Sequence, residues 1–450
     1  VSQSFNALEK RSVAALASVY GLRMYGLFLL LPVLVIHAEQ LQGATPMLMG
    51  IALGVYGMTQ AIFQLPFGFL SDKYGRKEMI TVGLLLFVIG SLIAAASSTI
   101  EGVILGRAVQ GMGAIAAVVL ALTSDLTRES QRSKAMAIIG MSIGAAFLLA
   151  LMSAPILEFW IGVRGLFIMT AVFAVLALIL IWRVVPTPVP TRNMDVRPVP
   201  AQMWSLLKDQ SLLKLDIGIF LLHFTLTASF VIVPIVLLEG LDLDTSEHWK
   251  IYLPALLGSI PFMALMVITA SSPTRNKWVF FASICLLVLA QVLLVIRPVN
   301  SLLVTVALFF FFWGFNTLEA LLPSLVSRLA PAAGKGSAMG VYNTFQFTGV
   351  FFGGFFGGLL YGQFGVTATF VLLGLVLVWW AWFAYKSDPF RLLDSLTVKI
   401  NPAIRDVCRE AFRDIEGVEE VIVFKGESVA YLKVDKSRLD TAALDALTSS

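Results

Sequence analysis

Apolar residues fall along the chain in blocks of twenty or more, beginning near residue 11 and ending near residue 386, with short polar breaks between them. A helix crosses a bilayer core with about 20 apolar residues. None of the blocks alternates with the period of two that a barrel strand would need, so each reads as one helical crossing. Twelve are counted: 11–38, 45–70, 77–97, 99–124, 133–157, 163–184, 212–238, 248–271, 277–297, 299–328, 335–362 and 365–386. The expected fold class is an all-α membrane bundle of twelve transmembrane helices. The first block is too long for a cleavable signal and is interrupted by Arg23 and Tyr25, so it reads as helix one.

The series pauses after six blocks. Residues 185–203, rich in proline and polar side chains, suit an extended linker. Two halves are therefore expected, at 1–184 and 212–387, joined by 185–211. The segments "SDLTRESQRSKAMA" (124–137) and "SRLAPAAGKGSAMG" (327–340) align without a gap at an offset of 203, as do Gly111 and Gly314, which points to duplication. Duplicated halves place a shared site at their interface and rock around it, so the function inferred is transport.

Composition agrees with a membrane chain: 58% of residues are hydrophobic and 13% charged, too few charges to cover a water-soluble globule. Lysine and arginine divide seventeen to three between the two faces of the predicted bundle, placing both termini and the linker in the cytoplasm. From residue 388 the long apolar runs stop. Strands at 396–400, 418–424 and 428–434, with helices from 402 and from 436, read as a small α+β ferredoxin-like domain at 388–450. Cys285 lies in a span and Cys408 in this tail, so neither a disulfide framework nor a Cys-rich metal cluster is available.

The turn "GFLSDKYGRK" (68–77) concentrates Asp72, Lys73, Arg76 and Lys77 between two spans. Retention of basic residues on the cytoplasmic side accounts for Lys73 and Lys77. Asp72 stands at a helix carboxyl end, where an acid costs about 0.3–1 kcal/mol unless something positive offsets it. Its candidate partners are Arg76 and the amino end of the eleventh helix near Gly334–Ser337. Gly68 would let a helix approach closely and Gly75 suits the reversal. Asp125 ends helix four on the same side, and Asp72, Arg76 and Asp125 are expected to form a charge network that biases two bundle arrangements.

Gly68, Leu70, Asp72, Lys73, Gly75, Arg76 and Lys77 resemble motif A of the major facilitator superfamily. "RAVQGMG" (107–113), through Arg107, Gln110, Gly111 and Gly113, is similar to motif B of its drug and proton antiporters. The resemblance covers about residues 11–386. It implies that the turn braces the cytoplasmic faces of the halves and that Arg107 takes part in proton coupling. "GMSIGAAFLL" (140–149) keeps Gly140 and Gly144 of the helix-five antiporter pattern but lacks its proline and later glycines. The tail is similar to heavy-metal-associated domains without their paired-cysteine loop.

Charged groups within spans cost about 2.5–3.5 kcal/mol at mid-membrane on insertion scales and face a cavity or a partner. Arg23 either snorkels or lines a cavity. Glu319, in helix ten, is the candidate protonatable site, with a neutral structural carboxyl as the alternative. His223 joins a polar pathway or is a satisfied structural histidine. Asn316, Asn343 and Gln346 hold a substrate or join helices. The resulting expectation is a proton-driven exporter of small amphiphilic compounds in a bacterial inner membrane. It would use no cofactor and no nucleic acid, and its tail would meet a cytosolic partner or an ion. The alternative is a membrane ligand sensor signalling through that tail. No nucleotide-binding loop and no catalytic constellation is present.

Overall fold

The structure is a computed structural model, and it describes residues 4–187, 206–270, 272–296, 298–331, 335–387, 394–399, 410–423, 429–435 and 438–444. In the first half the helices are α1 (Ala7–Phe28), α2 (Leu34–Glu39), α3 (Pro46–Tyr74), α4 (Arg76–Ala96), α5 (Ile100–Met112), α6 (Ala116–Asp125) and α7 (Glu129–Arg183). The second half holds α8 (Gln210–Ile235), α9 (Trp249–Thr269), α10 (Pro273–Val295), α11 (Ser301–Leu329) and α12 (Lys335–Lys386). Among the described residues nine helical stretches are long and apolar enough to cross a membrane. The surface they present is apolar, with Trp160, Leu302 and Ile268 about three-quarters exposed, as lipid-facing side chains must be.

The helix starts follow local chemistry. Asn6 and Glu9 form a reciprocal capping box on α1, while Thr45 caps α3 ahead of Pro46, and Asp209, Ser272 and Asn300 cap α8, α10 and α11. Several expected spans prove discontinuous. The first breaks between α1 and α2 around Pro32, which has no N–H to continue the ladder. The fourth breaks at 113–115, between α5 and α6. Conversely, spans five and six run together as α7, and eleven and twelve as α12. Each is turned at a glycine of positive φ, Gly162 at 63° and Gly365 at 75°.

The halves meet along α3 and α12, and the sequence "GVFFGGFFGG" (349–358) explains how. Glycines four apart make two small-residue ridges on one helix. Gly354 and Gly358 face Gly50, Gly54 and Pro46 of α3, and Gly349, Gly353 and Gly357 face the backbone of Phe220, Phe224 and Ala228 on α8. Without side chains in the way, α12 lies against both neighbours at once. Phe147 of α7 adds a second bridge between the halves, its ring 6.3 Å from Phe312 and 6.5 Å from Phe315 of α11.

The tail contains β1 (Asp394–Lys399), β2 (Val418–Val423) and β3 (Val429–Val434) in an antiparallel sheet of order β1-β3-β2. The strands match the expected ones to within two residues. Phe412, Ile415, Leu432 and Leu444 form its core. Most of the helix expected from 402, including Cys408, and the proline-rich stretch 188–205 lie outside the described residues. The sheet touches the bundle through Lys433, which is buried and donates from Nζ to the Arg328 carbonyl at the end of α11, at 2.6 Å.

Candidate functional site

Among the described residues, the expected site residues fall mainly in three groups of polar side chains. The first is the turn between α3 and α4. Gly75 sits at φ 108°, a conformation that side chains resist, and a Cβ there would run into the Glu78 carboxylate. This reversal brings Arg76 back over the end of α3. Its guanidinium fans across three partners: Nη2 to Asp72 Oδ1 at 2.6 Å, Nε to Asp125 Oδ2 at 3.2 Å, and Nη1 to Ser71 Oγ at 2.6 Å. Ser71 in turn donates a hydrogen bond from Oγ to the carbonyl of the buried Gly68, at 2.7 Å. The expected network of Asp72, Arg76 and Asp125 is therefore assembled, mostly shielded from solvent, and it ties α3, α4 and α6 together. Of the two candidate partners for Asp72, Arg76 is in place. Of the other, near Gly334–Ser337, Gly334 lies outside the described residues.

Lys77, for which retention on one face was the expected role, also makes a structural contact. It is buried, donates from Nζ to the Val185 carbonyl at 2.9 Å, and lies 4.8 Å from the Trp182 ring centre, so it fastens α4 to the end of α7.

The second group gathers Arg23, Arg107 and Gln110 around Tyr56. Arg23 neither snorkels nor faces open space: it is 1% exposed and donates from Nη2 to Tyr56 Oη, Gln60 Oε1 and the Gly113 carbonyl at 2.8, 2.9 and 2.8 Å. At Gly113 the regular helix stops; its carbonyl accepts from the Ile115 N–H at 2.9 Å, and the arginine supplies a second donor to the same oxygen. Arg107, equally buried, donates to the Ala52 and Leu53 carbonyls at 3.3 Å each and to Gln110 Oε1 at 2.9 Å. Gln110 continues to Ser91 Oγ at 2.7 Å. Both guanidiniums lie near the Tyr56 ring, 5.9 and 5.2 Å from its centre. Tyr56, Gln60 and Gln64 were passed over in the sequence, although polar residues at i, i+4 and i+8 in an apolar span mark one helix face.

The third group lies in the second half, where three helices contribute one side chain each. Gln346 of α12 donates from Nε2 to Glu319 Oε1 of α11 at 3.2 Å, and the same nitrogen lies 2.9 Å from His223 Nε2 of α8. His223 Nε2 and Glu319 Oε2 are 3.8 Å apart. Gln346 can serve both neighbours with its two amide hydrogens when that histidine nitrogen is unprotonated. Glu319 lies within α11 with 40% of its side chain accessible, while its Oε2 is shut from solvent and has no hydrogen-bond partner among the described residues. Phe315 covers the histidine edge-on at 5.7 Å. Asn316 and Asn343 are half-buried and join none of the three groups. Asp216, buried on α8 two turns before His223, was also missed, although an acid in "LDIGIFLLHF" is itself a signal.

The family model described as Major Facilitator Superfamily matches residues 16–353 and 275–415. The chain is 41% identical over 432 residues to the Inner membrane transport protein YajR of Escherichia coli (strain K12), covering 95% of this chain and 94% of that one. Multidrug resistance protein D of the same organism is 35% identical over 100 residues, 22% of this chain and 25% of that one. Among solved structures, a bacterial homolog of the human lysosomal transporter Spinster, inward-facing and occupied, is similar with a TM-score of 0.73 at 12% identity, covering 85% of this chain and 97% of that one.

Proposed function

This chain belongs to the Major Facilitator Superfamily and is a multi-pass membrane transporter, not an enzyme; from that premise we propose that it exports small amphiphilic compounds across a bacterial inner membrane in exchange for protons. The single observation that carries the reading is the Glu319, Gln346 and His223 cluster, an ionisable group inside a bundle met by polar side chains from two other helices. An ionisable residue within a span is a functional site by default, because its desolvation is otherwise unrewarded. Relatives named for multidrug and tetracycline resistance support an amphiphilic cargo.

In this reading there are twelve crossings, with α7 and α12 each supplying two around Gly162 and Gly365 and α1 supplying the first. Both termini are cytoplasmic. The halves alternate about the α3–α12 seam, and Arg76 with Asp72 and Asp125 latches one arrangement, with Gly68 and Gly75 allowing the close turn. Glu319 takes up a proton, Gln346 and His223 orient its carboxylate, and Asn316 and Asn343 stand on the same helices to meet the cargo. Arg23, Arg107 and Gln110 hold the first half rigid from within. The tail is a ferredoxin-like module, its order β1-β3-β2 suiting that fold, and it passes a cytosolic partner or ion signal to α11 through Lys433.

The test is reconstitution in proteoliposomes with an imposed pH gradient and a compound library. Compound movement coupled to proton flux is expected, and Glu319→Gln abolishes the coupling. Binding without sustained, gradient-dependent movement would overturn the reading and indicate a sensor.

A further inference from the structure

At the end of the bundle where α8 and α10 begin and α12 ends, a cleft is lined by Lys214, Lys277, Phe280, Trp380, Phe383 and Ser387. Lys214 lies one turn into α8 and Lys277 one turn into α10, so two cations stand beside two helix amino ends, each of which carries about half a positive charge. Among the described residues neither lysine has a carboxylate partner; both stand over aromatic faces, Lys214 over Phe383 at 5.9 Å and Lys277 over Tyr385 at 5.9 Å. Asp209, the acid on these first turns, is committed to capping α8, accepting from the Ser211 and Leu212 N–H groups.

The other walls are apolar, and the rim is an aromatic girdle. Trp278, Trp379, Trp382 and Tyr385 are about half exposed around the cleft, and Lys386 stands over Trp382 at 4.5 Å. Such rings collect at the level of lipid headgroups, where one edge is wet and the other apolar. The cleft thus joins a concentration of positive charge to a greasy wall that continues into the membrane.

We propose that this cleft is a binding site for an anionic phospholipid of the leaflet on the Asp72 side. The phosphodiester would lie between Lys214 and Lys277 and the glycerol and upper acyl chain against Phe280, Trp380 and Phe383. A free phosphate would use the lysines but leave the aromatic wall without an occupant, so the lipid is the better match. Basic pockets between helices on the cytoplasmic side recognise acidic headgroups in this way. The site is separate from the Glu319 cluster and does not depend on the transport reading.

The experiment is native mass spectrometry of the delipidated full chain with phosphatidylglycerol, phosphatidylethanolamine or inorganic phosphate. Phosphatidylglycerol is expected to bind in preference to phosphatidylethanolamine. Each lysine near an anionic headgroup contributes roughly fivefold in affinity, so Lys214→Gln with Lys277→Gln weakens binding about 25-fold. The paired arginine variant retains binding, and Lys10→Gln, on an exposed part of the other half, leaves it unchanged. If the glutamine pair does not fold, competition in the wild type decides, with millimolar inorganic phosphate failing to displace the lipid. Equal binding of the two lipids, undiminished binding by the glutamine pair, or displacement by phosphate alone would each overturn the assignment.

Discussion

Adding one methyl group to the seam between the halves should separate packing from helix propensity. A Cβ at Gly54 would lie 2.8 Å from the Phe351 carbonyl oxygen, 3.0 Å from that of Val350 and 3.1 Å from Phe351 Cα. All three are backbone atoms, which cannot rotate aside, and ordinary contact begins near 3.4 Å, so α3 and α12 must part by about half an ångström. Overpacking of this kind costs about 1–3 kcal/mol. Alanine regains about 1 kcal/mol over glycine in helix propensity. At Gly140 on α7 nothing lies within 4 Å of the added carbon, so only the propensity gain applies. Gly140→Ala should then exceed Gly54→Ala in stability by about 1–3 kcal/mol, roughly fivefold to more than a hundredfold in the folded ratio. Thermal unfolding in detergent measures the difference, and spin labels across α3 and α12 measure the separation. Equal stabilities with an unchanged separation would refute the packing argument.

Other perturbations address the polar groups. Glu9 is held down at about 2, from the ordinary 4.5, chiefly by the hydrogen bond from the Arg128 guanidinium and further by the Arg128 and Asn6 backbone N–H groups, against the opposing effect of burial. Because the folded value is depressed, its stabilisation is complete above about pH 4.5 and is lost as pH falls towards 2; the stability gap between wild type and Glu9→Gln should be flat from pH 7 to 5 and close below that, and a gap that widens on acidification would contradict the pairing. Asp125→Asn removes the Arg76 Nε ion pair, which lies between the exposed and buried regimes, and should shift the ratio of two bundle arrangements by about 1–2 kcal/mol; accessibility labelling that finds unchanged populations in both Asp125→Asn and Asp72→Asn would rule out the latch. Arg23→Lys keeps the charge but cannot reach Tyr56, Gln60 and Gly113 together, and should destabilise by about 1.5–3 kcal/mol in thermal unfolding; wild-type stability would place those hydrogen bonds elsewhere.

The linear pattern of this chain was enough for most of the apolar spans, the three strands of the tail and the tight turn at Gly75. All of these depend on hydropathy or on backbone conformation within a few residues. The grouping of Asp72, Arg76 and Asp125 was legible for the same reason, since a four-residue spacing and a shared bundle face bring the charges near one another. Local pattern does not determine how helices rotate against their neighbours. Only the packed bundle decided that Arg23 is sealed onto Tyr56, Gln60 and the carbonyl at a helix break, that Lys77 is buried, and that α12 presents one glycine ridge to each of two partners. Glu319, Gln346 and His223 come from three helices separated by long stretches of chain. Their meeting follows from those glycine contacts, because backbone touching backbone sets the rotation of α12 and therefore the direction in which Gln346 points.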